Sequence, residues 1–214
     1  MSNIEIPYEF FHWGPFLTKM KITENEKQKV IQMGEETRDD FRHSLAGIIK
    51  EEYKFSDDNA NLFMKTFSNY FKVYMEKLVD FNRQPLLKNV TSLKIGKVWI
   101  NKMKANEYNP QHIHSGDLSF VMYLSVPDGL KKEREEYKGS SSGPGSITFK
   151  YGEHNPTDKY SYFATQQNFL PEEKDFFIFP ANLTHQVIPF SSDITRVSVA
   201  GNVYFQSTYK NDSI

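Results

Sequence analysis

Three histidines in two separate segments are the residues of this chain most suited to chemistry. His112 and His114 form a His-x-His pair, and His185 lies much further along the chain. Residues two apart in an extended strand point to the same face, so the paired imidazoles can project side by side. Neutral imidazole is a good ligand for Fe, Zn, Cu and Ni. The spacing therefore indicates a metal site with three imidazoles on one face of the ion and other positions left open.

A carboxylate near the paired histidines offers a second ligand set. Non-haem Fe(II) oxygenases commonly use two histidines and one carboxylate. Asp117 follows His114 at a spacing of three rather than at the same-face spacing of two. The residues by themselves leave two triads open, which are His112 with His114 and His185, or one of the paired histidines with Asp117 and His185.

Two polar residues downstream of the histidines are suited to binding an anion. Arg196 and Ser198 lie two apart in a predicted strand and therefore share a face. A guanidinium can bind a carboxylate through two parallel hydrogen bonds, and a hydroxyl adds one more. Tyr123, in another predicted strand, could donate its hydroxyl to the same anion. A buried arginine without a partner is costly, so an interior Arg196 implies either a bound anion or an internal pair, for example with Asp193.

The second half of the chain must supply the strands that position these residues. Short strands without helices between them are typical of an antiparallel sandwich or jelly roll. Residues 138–145 read as a loop, and residues 152–171 as an irregular excursion, a lid or an edge hairpin. The predicted strands cover residues 90–103, 118–126, 146–151, 175–179, 184–190 and 196–205.

The first half of the chain reads as helical. Thr23 and Glu26 have the spacing of a capping box, and we expect the helix that they open to run to about Lys54. Ser56 or Asp57 could cap a second helix, whose wide aromatic stripe would pack on one outer face of a sheet. We expect a single domain over residues 1–214, with a helical part at about 1–88 and a β core at about 90–206.

The bulk composition excludes several classes of function. The 214 residues include no cysteine, which excludes disulfides, thiolate metal sites and cysteine nucleophiles. A formal net charge of -1 gives no electrostatic reason to expect a nucleic-acid or membrane-surface partner. No apolar run approaches the ~20 residues of a spanning helix, and no signal peptide pattern is visible. We therefore expect a soluble, intracellular protein.

With these residues in view, the chain resembles the 2-oxoglutarate- and Fe(II)-dependent oxygenases. It is closest to the small oxygenases encoded by T4-like phages that infect cyanobacteria. The similar segments follow the family's order within residues 90–205, and they are residues 99–101, 107–116, 118–121, 177–180, 185–190 and 196–202.

The resemblance implies a fold and a set of site residues. The fold would be a double-stranded β-helix, mostly β with N-terminal helices, and the iron would lie at its open end. The family's usual first pair is His-x-Asp, where this chain has two histidines, and close phage relatives share the His-x-His form. The resemblance therefore favours the three-histidine triad over one that uses Asp117. It implies metal binding by His112, His114 and His185, and binding of the 2-oxoglutarate C5 carboxylate by Arg196, Ser198 and Tyr123.

The resemblance also implies a function, a 2-oxoglutarate-dependent dioxygenase that uses Fe(II) and hydroxylates an unknown substrate. Trp99, Asn101 and Tyr108 could line its pocket. Its partners would be the small-molecule cosubstrate and a primary substrate, it could form a homodimer, and it would act in the cytoplasm of a phage-infected host. Two alternatives stay open: a cupin-like three-histidine metalloenzyme that does not use 2-oxoglutarate, and a non-catalytic phage structural or interaction protein that retains the fold.

Overall fold

The architecture combines two antiparallel sheets with three α-helices in the described part of the chain. A computed structural model describes residues 14–82, 87, 89–140, 142–152 and 165–207. In chain order the elements are β1 (Thr18–Lys21), α1 (Glu24–Glu35), β2 (Asp39–Asp40), a 3-10 turn (Arg42–Ser44), β3 (Glu52–Lys54), α2 (Asp57–Asn82), β4 (Val90–Met103), β5 (Asn109–His112), β6 (Leu118–Ser125), α3 (Asp128–Glu136), β7 (Ile147–Lys150), β8 (Gln166–Phe169), β9 (Asp175–Pro180), β10 (Thr184–Val187) and β11 (Arg196–Ser207).

The strands form one large sheet and one small sheet. Within the described ranges, the large sheet has seven strands in the order β1-β9-β6-β11-β4-β3-β2, and the small sheet has four in the order β5-β10-β7-β8. All the pairs are antiparallel. Strand order therefore does not follow chain order, and neighbours such as β6 and β9 come from distant parts of the sequence.

Apolar side chains on both faces of the central strands of the large sheet form two separate hydrophobic cores. On β6, Phe120 and Met122 face α2, where the ring of Phe120 stacks on Phe63 with centroids 4.8 Å apart. Tyr123, on the opposite face, packs with Phe149 of the small sheet in a second core. Successive residues of a strand point to opposite faces, so one strand serves both cores. The prediction that helices cover one outer face is confirmed.

Most of the predicted strands are confirmed, with ends that differ by a few residues. The predicted strands at 90–103, 118–126, 146–151, 175–179, 184–190 and 196–205 correspond to β4, β6, β7, β9, β10 and β11. The excursion predicted at 152–171 contains the edge strand β8, and its residues 153–164 lie outside the described part of the chain. Strands β1, β2 and β3 were not expected from the sequence pattern, whereas the extended segment expected at His112 and His114 corresponds to β5, which ends at His112.

The helical prediction is correct at both starts and wrong at one end. Thr23 and Glu26 form the expected capping box of α1, and α2 begins at Asp57. Helix α1 ends at Glu35, however, whereas the pattern predicted a helix to about Lys54. The intervening residues form β2, the 3-10 turn and β3, because β3 completes the backbone hydrogen bonds of β4 in the large sheet. Tertiary pairing has overridden the helical spacing of the apolar residues.

None of the helices in the described part of the chain is both long and apolar enough to span a membrane.

The part of the chain that was expected to be helical contributes strands β1, β2 and β3 to the large sheet. The helices and the strands are therefore interleaved along the chain.

Candidate active site

The three histidines converge at one end of the small sheet, although they come from segments far apart in sequence. His112 on β5 lies opposite His185 on β10 in the strand register. His114 follows β5, and its backbone N–H donates to the carbonyl of Ala181 at 2.9 Å. One ring nitrogen from each histidine lies within 4.8 Å of the others. We call these three residues the histidine cluster.

Backbone carbonyls fix the orientation of two of the rings. Nδ1 of His185 lies 2.9 Å from the carbonyl oxygen of Leu183, and Nδ1 of His112 lies 2.7 Å from that of Pro110. A carbonyl oxygen only accepts, so each Nδ1 carries the hydrogen and each Nε2 keeps its lone pair. The side-chain nitrogen of Asn109 lies 3.2 Å from Nε2 of His112 and donates to that lone pair. Metal-binding histidines commonly have such an Nδ1–H to carbonyl bond.

Burial keeps the cluster neutral. Desolvation, together with the smaller effect of the neighbouring imidazoles, lowers the pKa of His185 to about 3. Desolvation likewise lowers the pKa of His114 to about 4, and it also lowers the pKa of His112. Three uncharged imidazoles at neutral pH are a suitable donor set for a divalent transition metal, which would replace the Asn109 amide at Nε2 of His112.

The structure does not bring Asp117 into this cluster. Its carboxylate Oδ2 accepts a hydrogen bond from the backbone N–H of Phe205 at 2.7 Å, and the side chain is exposed. Gly116, with a φ of +99°, turns the chain between His114 and Asp117. The turn directs the carboxylate towards β11 and away from the imidazoles.

A buried arginine lies on the cavity that the histidine cluster borders. Arg196 is 3% exposed, and its Nη1 donates to the carbonyl of Gly145 at 2.9 Å. Its other terminal nitrogen lies 2.8 Å from the sulfur of Met103, and its Nε has no hydrogen-bond partner among the described residues. Burial lowers the pKa of Arg196, and no carboxylate in the described part of the chain pairs with it. The alternative of an internal pair with Asp193 is therefore not what the structure has.

The two other residues predicted to bind the anion lie beside Arg196. Its guanidinium carbon lies 5.3 Å from the centre of the Tyr123 ring. Ser198 on β11 lies opposite Tyr123 on β6, and both are buried. Burial raises the pKa of Tyr123, and the charge of Arg196 opposes that rise. We call Arg196, Ser198 and Tyr123 the anion pocket.

Two adjacent cavities share His112 and His114 in their lining. The inner cavity is lined by the histidine cluster and the anion pocket together. The outer cavity has a volume of about 230 Å³ and opens to the surface between exposed residues such as Ser44 and Ile113. Residues common to both cavities are Trp99, Asn109, His112 and His114.

Two of the three residues suggested to line the pocket border a cavity at the site. Trp99 borders both cavities and Asn101 borders the inner one, whereas Tyr108 lines neither. The sequence pattern missed Glu52, a buried carboxylate on the outer cavity. No local signal could have found it, because it lies in a stretch whose apolar spacing indicated a helix. His43 lies in the exposed 3-10 turn, and His12 and His154 lie outside the described residues.

Comparison with solved structures supports the fold. A viral collagen prolyl hydroxylase from Paramecium bursaria Chlorella virus-1, solved with 2-oxoglutarate, has a TM-score of 0.53 at 11% identity, over 87% of this chain and 94% of that one. A prolyl-4-hydroxylase from Pseudomonas putida has a TM-score of 0.52 at 8% identity, over 90% and 93% of the two chains. HygX from Streptomyces hygroscopicus, with nickel, 2-oxoglutarate and hygromycin B bound, has a TM-score of 0.51 at 11% identity, over 90% and 83%.

The class of protein follows from the fold and the sequence match together. The two antiparallel sheets form the predicted double-stranded β-helix, which is the fold of these oxygenases. Residues 97–202 match the family model described as "Putative 2OG-Fe(II) oxygenase", while no curated protein matches the chain. The chain contains a segment, residues 97–202, of the 2-oxoglutarate- and Fe(II)-dependent oxygenase family. It is accordingly a 2-oxoglutarate-dependent dioxygenase, with Fe(II) as its cofactor and 2-oxoglutarate as its cosubstrate.

Proposed function

We propose that the chain is a hydroxylase in which the histidine cluster holds Fe(II) and the anion pocket binds the distal carboxylate of 2-oxoglutarate. The observation that carries this proposal is that both groups line one cavity, the inner one. A metal-bound cosubstrate must reach the metal with one end and an anion site with the other. The inner cavity is lined by three neutral imidazoles and by a buried guanidinium, so it offers both a metal site and an anion site.

The donor set of the histidine cluster fits Fe(II). Imidazole is a suitable ligand for ferrous iron, and three ligands from the protein leave positions for a chelating cosubstrate and dioxygen. The carbonyls of Leu183 and Pro110 hold Nδ1 of His185 and His112, so that Nε2 of each ring is presented to the metal. Because the third ligand is a histidine rather than an aspartate, the centre would carry one more positive charge than a His-x-Asp centre.

The burial of Arg196 and its unpaired Nε suit the binding of a dicarboxylate. A buried guanidinium with an unpaired Nε is expensive unless an anion occupies the site. A carboxylate there would accept charge-assisted hydrogen bonds from the guanidinium, and the hydroxyls of Ser198 and Tyr123 could each add a further donor. The positive charge also makes the pocket selective for an acid over a neutral ketone.

Fe(II) and 2-oxoglutarate, when bound, supply the oxidising chemistry that inserts oxygen into a C–H bond. The chain contributes position and environment. The rings of Phe149 and Phe179 pack around His185, with centroids 5.8 Å and 4.9 Å away, and they shield its ring from water. Trp99, whose ring centre lies 5.5 Å from that of His114, forms the wall shared with the outer cavity. The outer cavity is therefore where we place the primary substrate.

We also propose a cellular location, a domain organisation and an oligomeric state for the enzyme. The motif resemblance to oxygenases of T4-like cyanobacterial phages supports a role in the cytoplasm of an infected host. We propose one oxygenase domain over residues 1–214, with a homodimer as the state to test by sedimentation. The solved relatives act on or bind different molecules by name, prolyl residues in two and hygromycin B in a third, so they leave the primary substrate open.

Metal binding is tested by anaerobic titration. Fe(II) and 2-oxoglutarate together should produce a visible charge-transfer band in the wild-type protein. His185→Ala should weaken the band because it removes one of the three ligands. His43→Ala is the matched control, since His43 lies in the exposed 3-10 turn. A wild-type protein without the band, and without calorimetric binding of 2-oxoglutarate, would refute the proposal.

Cosubstrate binding is tested at Arg196. Arg196→Met should raise the dissociation constant of 2-oxoglutarate at least about tenfold, because a charge-assisted hydrogen bond contributes ~1.5–3 kcal/mol. Arg42→Met, at an exposed arginine paired with Asp40, is the control. Unchanged turnover of the true substrate in Arg196→Met would instead favour a three-histidine metalloenzyme that does not use 2-oxoglutarate.

A further inference from the structure

One carboxylate faces the site from a strand outside the oxygenase motifs. Glu52 on β3 is 2% exposed and lines the outer cavity. It lies opposite Asn101 on β4 in the strand register, and its strand is next to the edge strand β2 of the large sheet. Among the described residues that line either cavity, Glu52 is the one carboxylate.

The contacts of Glu52 leave its carboxylate incompletely satisfied. With its amide oriented to suit both neighbours, Asn101 donates to Oε2 of Glu52 at 2.5 Å and accepts from Nε1 of Trp99 at 3.2 Å. A carboxylate offers about four acceptor positions, so one amide leaves most of them free. No cation pairs with Glu52 among the described residues, and burial raises its pKa to about 7, with a contribution from Asp40. A positively charged group in the outer cavity would remove this cost.

Aromatic rings line the same cavity as this carboxylate. Phe41 and Trp99 both line the outer cavity, with ring centroids 5.6 Å apart. The ammonium of Lys97, at the exposed rim, already lies 5.2 Å from the centre of the Phe41 ring. The face of an aromatic ring attracts a cation through its quadrupole. The outer cavity thus combines the two kinds of group that proteins use to recognise a cationic nitrogen.

We propose that the outer cavity binds a cationic nitrogen of the primary substrate, an alkylammonium or guanidinium group, between Glu52 and the rings of Phe41 and Trp99. This inference rests on the proposed function, since it assigns a substrate class to the same site. An anionic group would be repelled by the buried carboxylate. A neutral group would leave the carboxylate without a counter-charge. The volume of about 230 Å³ is below the ~300–1,000 Å³ of sites for drug-sized ligands, so the cavity admits one group of a substrate.

The test uses two small probes of equal length, n-butylammonium and n-butanol. The protein is loaded with Zn(II) and 2-oxoglutarate, which cannot turn over, and binding is followed by NMR titration. Wild-type protein should bind n-butylammonium about tenfold more tightly than n-butanol, as expected for a charge-assisted hydrogen bond with a cation–π contact. Glu52→Gln should remove most of this preference. Glu51→Gln should keep it, because Glu51 is adjacent in sequence but pairs with Lys104 away from both cavities.

Two results overturn the inference: equal binding of the two probes by wild-type protein, or a preference that survives in Glu52→Gln. Phe41→Leu keeps the carboxylate and should weaken n-butylammonium binding about threefold, so it tests the inference independently if Glu52→Gln does not fold. The anaerobic charge-transfer band of the wild-type protein separates the two proposals. Equal probe binding in a protein that shows the band refutes only the substrate class, whereas absence of the band refutes the oxygenase site.

Discussion

Glu52→Gln should make the protein more stable at alkaline pH, and the size of the gain follows from the burial of the carboxylate. Glutamine has nearly the same shape and its amide oxygen can still accept from Asn101, so the substitution removes mainly the charge. Burial raises the pKa of Glu52 from 4.5 to about 7. The folded state therefore favours the protonated acid, while the unfolded state ionises at the ordinary value.

The direction and the size of the expected change in unfolding free energy follow from proton linkage. For an acid whose pKa is raised by folding, the stability is complete below the unfolded pKa of 4.5 and falls as the pH rises through about 7. Each pKa unit corresponds to ~1.4 kcal/mol, which gives about 3 kcal/mol as the upper limit. The hydrogen bond from Asn101 and water in the outer cavity reduce this cost. We expect Glu52→Gln to gain about 1–2 kcal/mol relative to wild type between pH 4.5 and pH 8.

The assay is urea unfolding of both proteins at several pH values, with the protein free of metal. Glu51→Gln is the control, because hydrogen bonding to Lys104 lowers the pKa of Glu51. Its removal should shift stability weakly, and in the opposite direction. A difference between Glu52→Gln and wild type that is constant from pH 4.5 to pH 8 would refute the reasoning, since it would mean that the carboxylate does not ionise in a buried environment.

Substitutions at three further positions test the fold and the metal ligands. Thr23→Ala should cost about 1 kcal/mol in urea unfolding because it removes the capping box of α1, and Thr23→Ser should restore most of it. Phe67→Ala should cost about 3–5 kcal/mol, since Phe67 is fully buried between α2 and the large sheet, and a loss below about 1 kcal/mol would contradict that packing. His114→Asp should retain Fe(II) in equilibrium dialysis, as a carboxylate can replace an imidazole, whereas His114→Ala should bind it more weakly. Equal retention by the two variants would argue against His114 as a ligand.

Much of the β framework could be predicted from local pattern. In β6 and β9, apolar residues run through both faces of each strand, because one face packs on helices and the other on the small sheet. A continuous apolar run bounded by turn residues indicates a buried strand. The capping box at Thr23 was equally local, since both partners lie within one helical turn. Predictions of this kind need no knowledge of distant residues.

Predictions that depended on distant partners were less secure. The spacing of Phe41, Leu45 and Ile49 suited a helix, yet these residues flank a 3-10 turn and lie outside any helix, and the β3 strand that follows them pairs with β4. A helix and a sheet both satisfy the backbone, and which one forms depended on a strand that lies fifty residues further along. The same pairing turns Glu52 towards the outer cavity, which is why the sequence pattern missed it.

The sequence by itself determined the residue types of the site: a His-x-His pair, a distant histidine, and an Arg-x-Ser pair in the order of the oxygenase family. Only the tertiary structure decided how they meet. The pairing of β5 with β10 sets His112 opposite His185, and the turn at Gly116 directs Asp117 to the backbone of Phe205. Both outcomes depend on strand register and turn geometry, which arise from contacts between segments far apart in the chain. Spacing along the sequence carries no record of those contacts.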